Sequence, residues 1–167
     1  AAQRDPGDRI DPIDSNIGWS KVDRNIKRSL KYDVVLNRSG VSTGTVTLGY
    51  ENLSDDSASG CDSQRMDRGR SYVQLKNACY WNLIRVYTAD GASLISASRL
   101  PLPENSVIAG LGLASTGDDT VSVGIDPAGS FVSGLLIVPP GETVETSFVI
   151  KLPDSAIEWT DDVSTYR

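Results

Sequence analysis

Polar and apolar residues alternate with a period of two along much of this chain, in runs too short for a helical stripe. Tyr32, Val34 and Leu36 alternate with Lys31, Asp33 and Asn37, broken only at Val35; after Ser39-Gly40, Val46, Leu48 and Tyr50 alternate with Thr45, Thr47 and Gly49. Successive side chains of a strand point to opposite faces, so this pattern predicts a β-hairpin with one face on the core and one in water. Val121, Val123 and Ile125 alternate in the same way with Thr120, Ser122 and Gly124, and Val144, Phe148, Ile150 and Leu152 with Thr143, Glu145, Ser147 and Lys151. Between the last two stretches, Pro139-Pro140-Gly141-Glu142 puts proline and glycine where a type II turn needs them.

Two segments are apolar on both faces. Phe131 to Val138 is almost continuous, and Cys79 to Ser98, CYWNLIRVYTADGASLISAS, is the densest apolar and aromatic run in the chain. A strand covered on both sides belongs in the middle of a sheet. Asp90-Gly91 suits a tight turn with positive φ, so Cys79–Ser98 is predicted as the central hairpin. The rest is less regular. Residues 1–14, with four Asp and two Pro, read as a flexible arm or linker. Residues 15–28 are predicted irregular with one helical turn, and Trp19 as an anchor onto the sheet. Residues 51–76 form a long polar connection in which Tyr72-Val73-Gln74-Leu75 is a short strand candidate, residues 101–118 cross between sheets, and residues 153–167 have no settled period. The prediction is one all-β domain over residues 15–167, an immunoglobulin-like two-sheet β-sandwich of about seven to nine strands.

The chain has 167 residues, 16 Lys and Arg against 22 Asp and Glu, and a net charge of -6. That balance repels phosphate backbones and speaks against a nucleic-acid partner. There is no histidine, which removes the usual general base at neutral pH, the Ser-His and Cys-His arrangements and most zinc chemistry. No cofactor or metal site is implied. No apolar run reaches transmembrane length. The first residue is Ala, as expected of a processed or trimmed end.

Cys61 and Cys79 are the only cysteines, with 17 residues between them. That spacing fits no metal or redox motif. A disulfide closing the polar loop Glu51 to Ala78 onto the central strand is the favoured reading over two free thiols, and it implies an oxidising compartment. Within the loop, Asp55, Asp56, Arg65, Arg68 and Arg70 are the candidate interaction residues. Other chemistry is weaker. The acidic pairs Asp55-Asp56, Asp118-Asp119 and Asp161-Asp162 lack calcium-loop spacing and read as solvated turns. Asn37 and Asn52 begin Asn-x-Ser sequons. Lys31, Lys76 or Lys151 would supply an isopeptide bond if an Asn and a buried acid lay beside it. Tyr80, Trp81 and Tyr87 have the spacing of core residues more than of a sugar-stacking face. No pair of acids marks a hydrolytic cleft.

Tyr80 to Ser98, together with Ser15 to Leu36 and Ser133 to Pro153, resembles the C-terminal β-domain of a bacterial family called domain of unknown function 4012. Its pattern is an aromatic-x-Asn-aliphatic-aliphatic-Arg-Val-Tyr strand, a Gly-containing turn and a Leu-x-Ser-Ala strand. The resemblance implies an exported or membrane-anchored bacterial protein, of which this would be the C-terminal part, and carries no catalytic residues. Family members continue past the last proline into another Tyr-Arg-Leu-like strand, whereas this chain ends at Tyr166-Arg167. The expected function is a non-enzymatic extracellular structural or interaction module at the bacterial surface, assembling with copies of itself by strand addition, toward a fibre. A carbohydrate-binding module contacting surface polysaccharide is the alternative, and an enzyme acting on cell-wall polymers comes third.

Overall fold

Alternation is realised as two facing antiparallel sheets. A computed structural model describes residues 7–55, 61, 71–102, 107–108, 113–114, 118–119, 121–160 and 164–166. In chain order the elements are β1 (Ile10–Asn16), β2 (Ile26–Val35), β3 (Thr43–Asn52), helix α1 (Tyr72–Lys76), β4 (Tyr80–Thr88) and β5 (Ser93–Ala97). Four two-residue strands follow: β6 (Leu100–Pro101), β7 (Val107–Ile108), β8 (Leu113–Ala114) and β9 (Asp118–Asp119). The chain ends with β10 (Ser122–Asp126), β11 (Gly129–Val138), β12 (Thr143–Lys151), β13 (Ile157–Trp159) and β14 (Ser164–Tyr166). One sheet has the order β1-β4-β11-β10 and the other β2-β3-β12-β5. The central pairs β4–β11 and β3–β12 lie as the C–F and B–E pairs do in an immunoglobulin sandwich, with β5 in the place of D. The path differs: among the strands of the two main sheets, β5 is followed by β10, the edge facing it in the other sheet, and β12 comes last.

The facing sides bury Val46, Leu48 and Tyr50 of β3, Ile84 and Val86 of β4, Leu136 and Val138 of β11, and Phe148 and Ile150 of β12 in one core. β4 and β11 are covered on their other face as well, where Trp81, Leu135 and Ile137 cluster with Cys79 and, at the margin, Ile17, Cys61 and Leu102. The two-faced apolar pattern thus marks the central strands. The turn after β11 forms as the sequence predicts: Gly141 has φ +75° and the Glu142 N–H donates to the Pro139 carbonyl at 3.2 Å.

Four expectations change. Asp90-Gly91 does make a tight turn, with Gly91 at φ +88° and the Ala92 N–H donating to Ala89 at 3.1 Å. It carries the chain from one sheet to the other instead of closing a hairpin, because β4 pairs with β1 and β11 while β5 pairs with β12. Residues 10–14 of the predicted arm belong to β1, whose partner is β4 from Ile10↔Thr88 to Asn16↔Asn82; its acidic Asp11 and Asp14 are usable there because β1 is an edge strand. Trp19 anchors nothing: it is 81% exposed at φ +54°, and Ile17, Val22 and Ile26 make the apolar contacts of this region. Tyr72–Leu75 is helical, because Ser71 and Gln74 form a reciprocal capping box.

Asn52, at the end of β3, holds three segments together. It is 1% exposed, and its side-chain nitrogen donates to the Ala78 carbonyl at 2.9 Å and to the Val138 carbonyl at 3.0 Å. Its side-chain oxygen accepts the Ser54 N–H at 3.1 Å. Each buried carbonyl left unpaired costs about 1–3 kcal/mol. Asn52→Ala is expected to lower the unfolding free energy by about 3 kcal/mol in urea titration, with the strand signature in circular dichroism unchanged below the transition.

Candidate functional site

The predicted disulfide is present. Cys61 and Cys79 are bonded with Cα atoms 5.3 Å apart, against the cluster of Trp81, Leu135 and Ile137. Of the loop residues named above, Asp55 is exposed beyond the end of β3, while Asp56, Arg65, Arg68 and Arg70 lie outside the described residues, as do Asp161 and Asp162. Asp118 and Asp119 form β9, opposite Pro101 and Leu100. The Asn52 sequon is closed to modification by burial, whereas Asn37 is exposed. Tyr80, Trp81 and Tyr87 are buried, so they are core and not a binding face. Lys31 forms an exposed ion pair with Asp33 at 2.7 Å. Lys151 shares a pocket with Asn37 and Asp154, but both charged groups are solvated, whereas an isopeptide bond needs a desolvated, neutral lysine.

Chemistry concentrates along the two lateral seams of the sandwich. On the β1–β2 side the seam is closed by hydrogen bonds centred on Asp14. One carboxylate oxygen accepts the Tyr50 hydroxyl at 2.6 Å and the Asn82 amide at 2.7 Å; the other accepts Arg28 Nε at 2.9 Å. Arg28 also reaches Tyr80 Oη at 2.9 Å and Asp23 at 3.1 Å, with its guanidinium carbon 5.3 Å from the Tyr80 ring centroid. Further along this seam, Tyr32 and Tyr166 both donate to Asp8. Burial, and then the bond to Asp14, raises the Tyr50 hydroxyl well above the usual phenol range, while burial and the Asp14 charge push Tyr80 up to about 12. With both Asp14 oxygens engaged, the cluster is a seal, not a proton-transfer site.

Among the described residues, no such cluster closes the β5–β10 side. Val123 and Ile125 stand opposite Val132 and Ser130 and share the inward direction of the core residues, yet are 65% and 82% exposed. Alternation in β10 is therefore as predicted, but the expectation of a covered apolar face fails, because β5 is short and ends the opposing sheet. A groove of about 440 Å³ runs between them, lined by Ala92, Leu94, Val123, Ile125 and Val132 among others. On the outer face beside it, Arg85 lies 4.2 Å from the Phe131 ring centroid and reaches Tyr87 and Asp126, each at 3.2 Å. The Tyr87 hydroxyl donates to Asp126 at 2.7 Å and holds that carboxyl below the usual carboxylate range.

Comparison with protein-family models, curated proteins and solved structures finds no match for this chain. The groove was not identifiable from residue types, because Val123 and Ile125 look like any inward-facing pair; what exposes them is that the short strand β5 ends the opposing sheet.

Two measurements probe these arrangements. Replacing both Cys61 and Cys79 by alanine is expected to lower stability by about 3 kcal/mol in denaturant titration, the loss expected for a loop of this length. Tyr80 is protonated in the fold to a higher pH than in the unfolded chain, so the stability it carries is full below about pH 10 and is lost as pH rises through about 12. Urea midpoints should therefore fall over that interval, and Tyr80→Phe should make the fall shallower.

Proposed function

We propose that this chain is a non-enzymatic extracellular interaction module of a bacterial surface, and that copies of it associate along the β5–β10 side. The observation that carries this reading is the exposure of Val123 and Ile125 on an edge strand beside an apolar groove. Edge strands present unpaired backbone groups, and proteins normally guard them with charge, proline or cover. The other two edges follow that rule: β1 contains Asp11, Pro12 and Asp14, and β2 contains Lys27, Arg28, Lys31 and Asp33. By contrast, β5 has no charged residue and β10 none before Asp126.

The charge distribution favours a second copy as the occupant. A net charge of -6 opposes contact between copies elsewhere on the surface, and the uncharged seam is where that opposition is weakest. Antiparallel pairing of β10 with β10 of the second copy, centred on Gly124, would join the two sheets and set Val123 of each copy across from Ile125 of the other. Such a contact is symmetric and closes as a dimer, whereas pairing of β10 with a different edge would propagate as a fibre. The disulfide suits an oxidising compartment, and no helix among the described residues is long and apolar enough to cross a membrane.

Sedimentation velocity over a concentration series is the test. The wild-type chain is expected to self-associate, and Ile125→Lys to weaken association by at least roughly tenfold with the thermal midpoint unchanged. A wild-type chain that stays monomeric at the highest attainable concentration would eliminate the self-association reading.

A further inference from the structure

A second pocket, of about 240 Å³, lies between the turn joining β2 to β3 and the segment after β12. Its wall includes the Trp159 indole, over which the Arg38 guanidinium carbon sits 5.9 Å from the ring centroid. Arg38 also donates to the Thr160 carbonyl, which fixes the guanidinium relative to the hairpin that carries the indole. The turn itself is held by Asn37, whose N–H donates to the Ser42 hydroxyl at 2.9 Å and whose side-chain oxygen accepts the Ser39 N–H at 3.2 Å. The pocket is thus built from two braced segments.

Lys151 and Asp154 line this pocket, and neither side chain has an ion-pair or hydrogen-bond partner among the described residues. An unengaged donor and an unengaged acceptor, set in one small concavity beside an aromatic ring, define the ligand they would take.

We propose that this pocket binds a single uncharged pyranose ring, as a free sugar or as one residue of a polysaccharide. A hydroxyl both donates and accepts, so a vicinal pair satisfies the Lys151 ammonium and the Asp154 carboxylate together. The C–H face of the ring supplies apolar surface for the Trp159 indole. A zwitterion such as glycine or glutamate answers the two charges but brings no flat apolar face to the indole. The volume, below that of drug-sized sites, suits one sugar ring. Trp159 acts here as a stacking wall, Lys151 and Asp154 as the orienting pair, and Asn37 and Arg38 as the rim. The site shares no lining residue with the groove at Val123 and Ile125, and its occupancy does not depend on self-association.

The test is calorimetric titration of the chain with the methyl glycosides of glucose, galactose, mannose and N-acetylglucosamine, with glycine and glutamate as amino-acid controls. At least one glycoside is expected to bind saturably, and both Asp154→Asn and Trp159→Ala to weaken it by at least roughly tenfold. Asp154→Asn keeps the side-chain shape, and an unchanged thermal midpoint in that variant assigns its loss to the site and not to folding. Ile125→Lys should leave sugar affinity unchanged, which separates failure here from failure of the association reading. Absence of saturable binding by all the glycosides, full affinity in both pocket variants, or binding of an amino acid in place of the sugars would each overturn the proposal.

Discussion

Two facing sheets of four strands leave two lateral seams, and how each seam is closed decides what the rest of this molecule can do. On the β1–β2 side, Asp14 accepts from Tyr50, Asn82 and Arg28, so two strands of each sheet are tied through one carboxylate. Bonds to a charged acceptor are shorter and stronger than neutral ones, and a buried polar cluster is favourable only when all its members are matched. Here Arg28 is matched in turn by Asp23 and Tyr80. This seal lets β1 and β2 carry charge and proline at their outer edges without loosening the core between them.

Among the described residues, the other seam has no such device. Fully burying a Val or Ile side chain is worth about 1.5–3 kcal/mol relative to exposure, and Val123 and Ile125 forgo much of that in the isolated chain. A single lysine in β10 would remove the hazard that such an edge creates. Its absence over Ser122–Ile125, in a chain that places charges on β1 and β2, is the contrast on which the proposed association rests. The Arg85–Phe131–Tyr87–Asp126 cluster links β4, β10 and β11 on the outer face behind this seam.

What was legible in the sequence follows from which forces are local. The turn at Pro139–Glu142 and the alternation of β3 and β12 are local properties, and both appear as predicted. The two-faced apolar pattern of β4 was read correctly as central, since only a strand covered on both sides keeps Tyr80, Trp81, Ile84 and Val86 dry. Pairing partners were not local. Asp90-Gly91 specifies backbone angles, not the strand that the next segment meets, and β5 went to the other sheet. β1 was hidden because it takes its hydrogen bonds from β4 while its own residues are largely polar, so composition alone assigned part of it to an arm. Trp19 was misread because an indole suggests burial, whereas a residue at φ +54° in a turn is placed by its backbone. The seam residues and the Trp159 pocket depend on where the two sheets end against each other and on a turn meeting a later hairpin, which no single-residue signal encodes.

The two candidate sites also differ in the kind of contact they permit. The β10 seam offers backbone groups and branched aliphatic side chains, which reward a long extended partner and discriminate poorly between sequences. The Trp159 pocket offers a donor and an acceptor beside one ring, which suit a small ligand carrying several hydroxyls. A module bearing both would join weak, selective contacts into strong ones: association through the seam brings several pockets onto one object, and the effective concentration of each further pocket then exceeds that of the free chain. Multivalency of that kind needs rigid spacing between pockets. The continuous ladder of β2-β3-β12-β5 supplies it within each copy, with β5 at the seam and the start of the Trp159 segment leading directly out of β12.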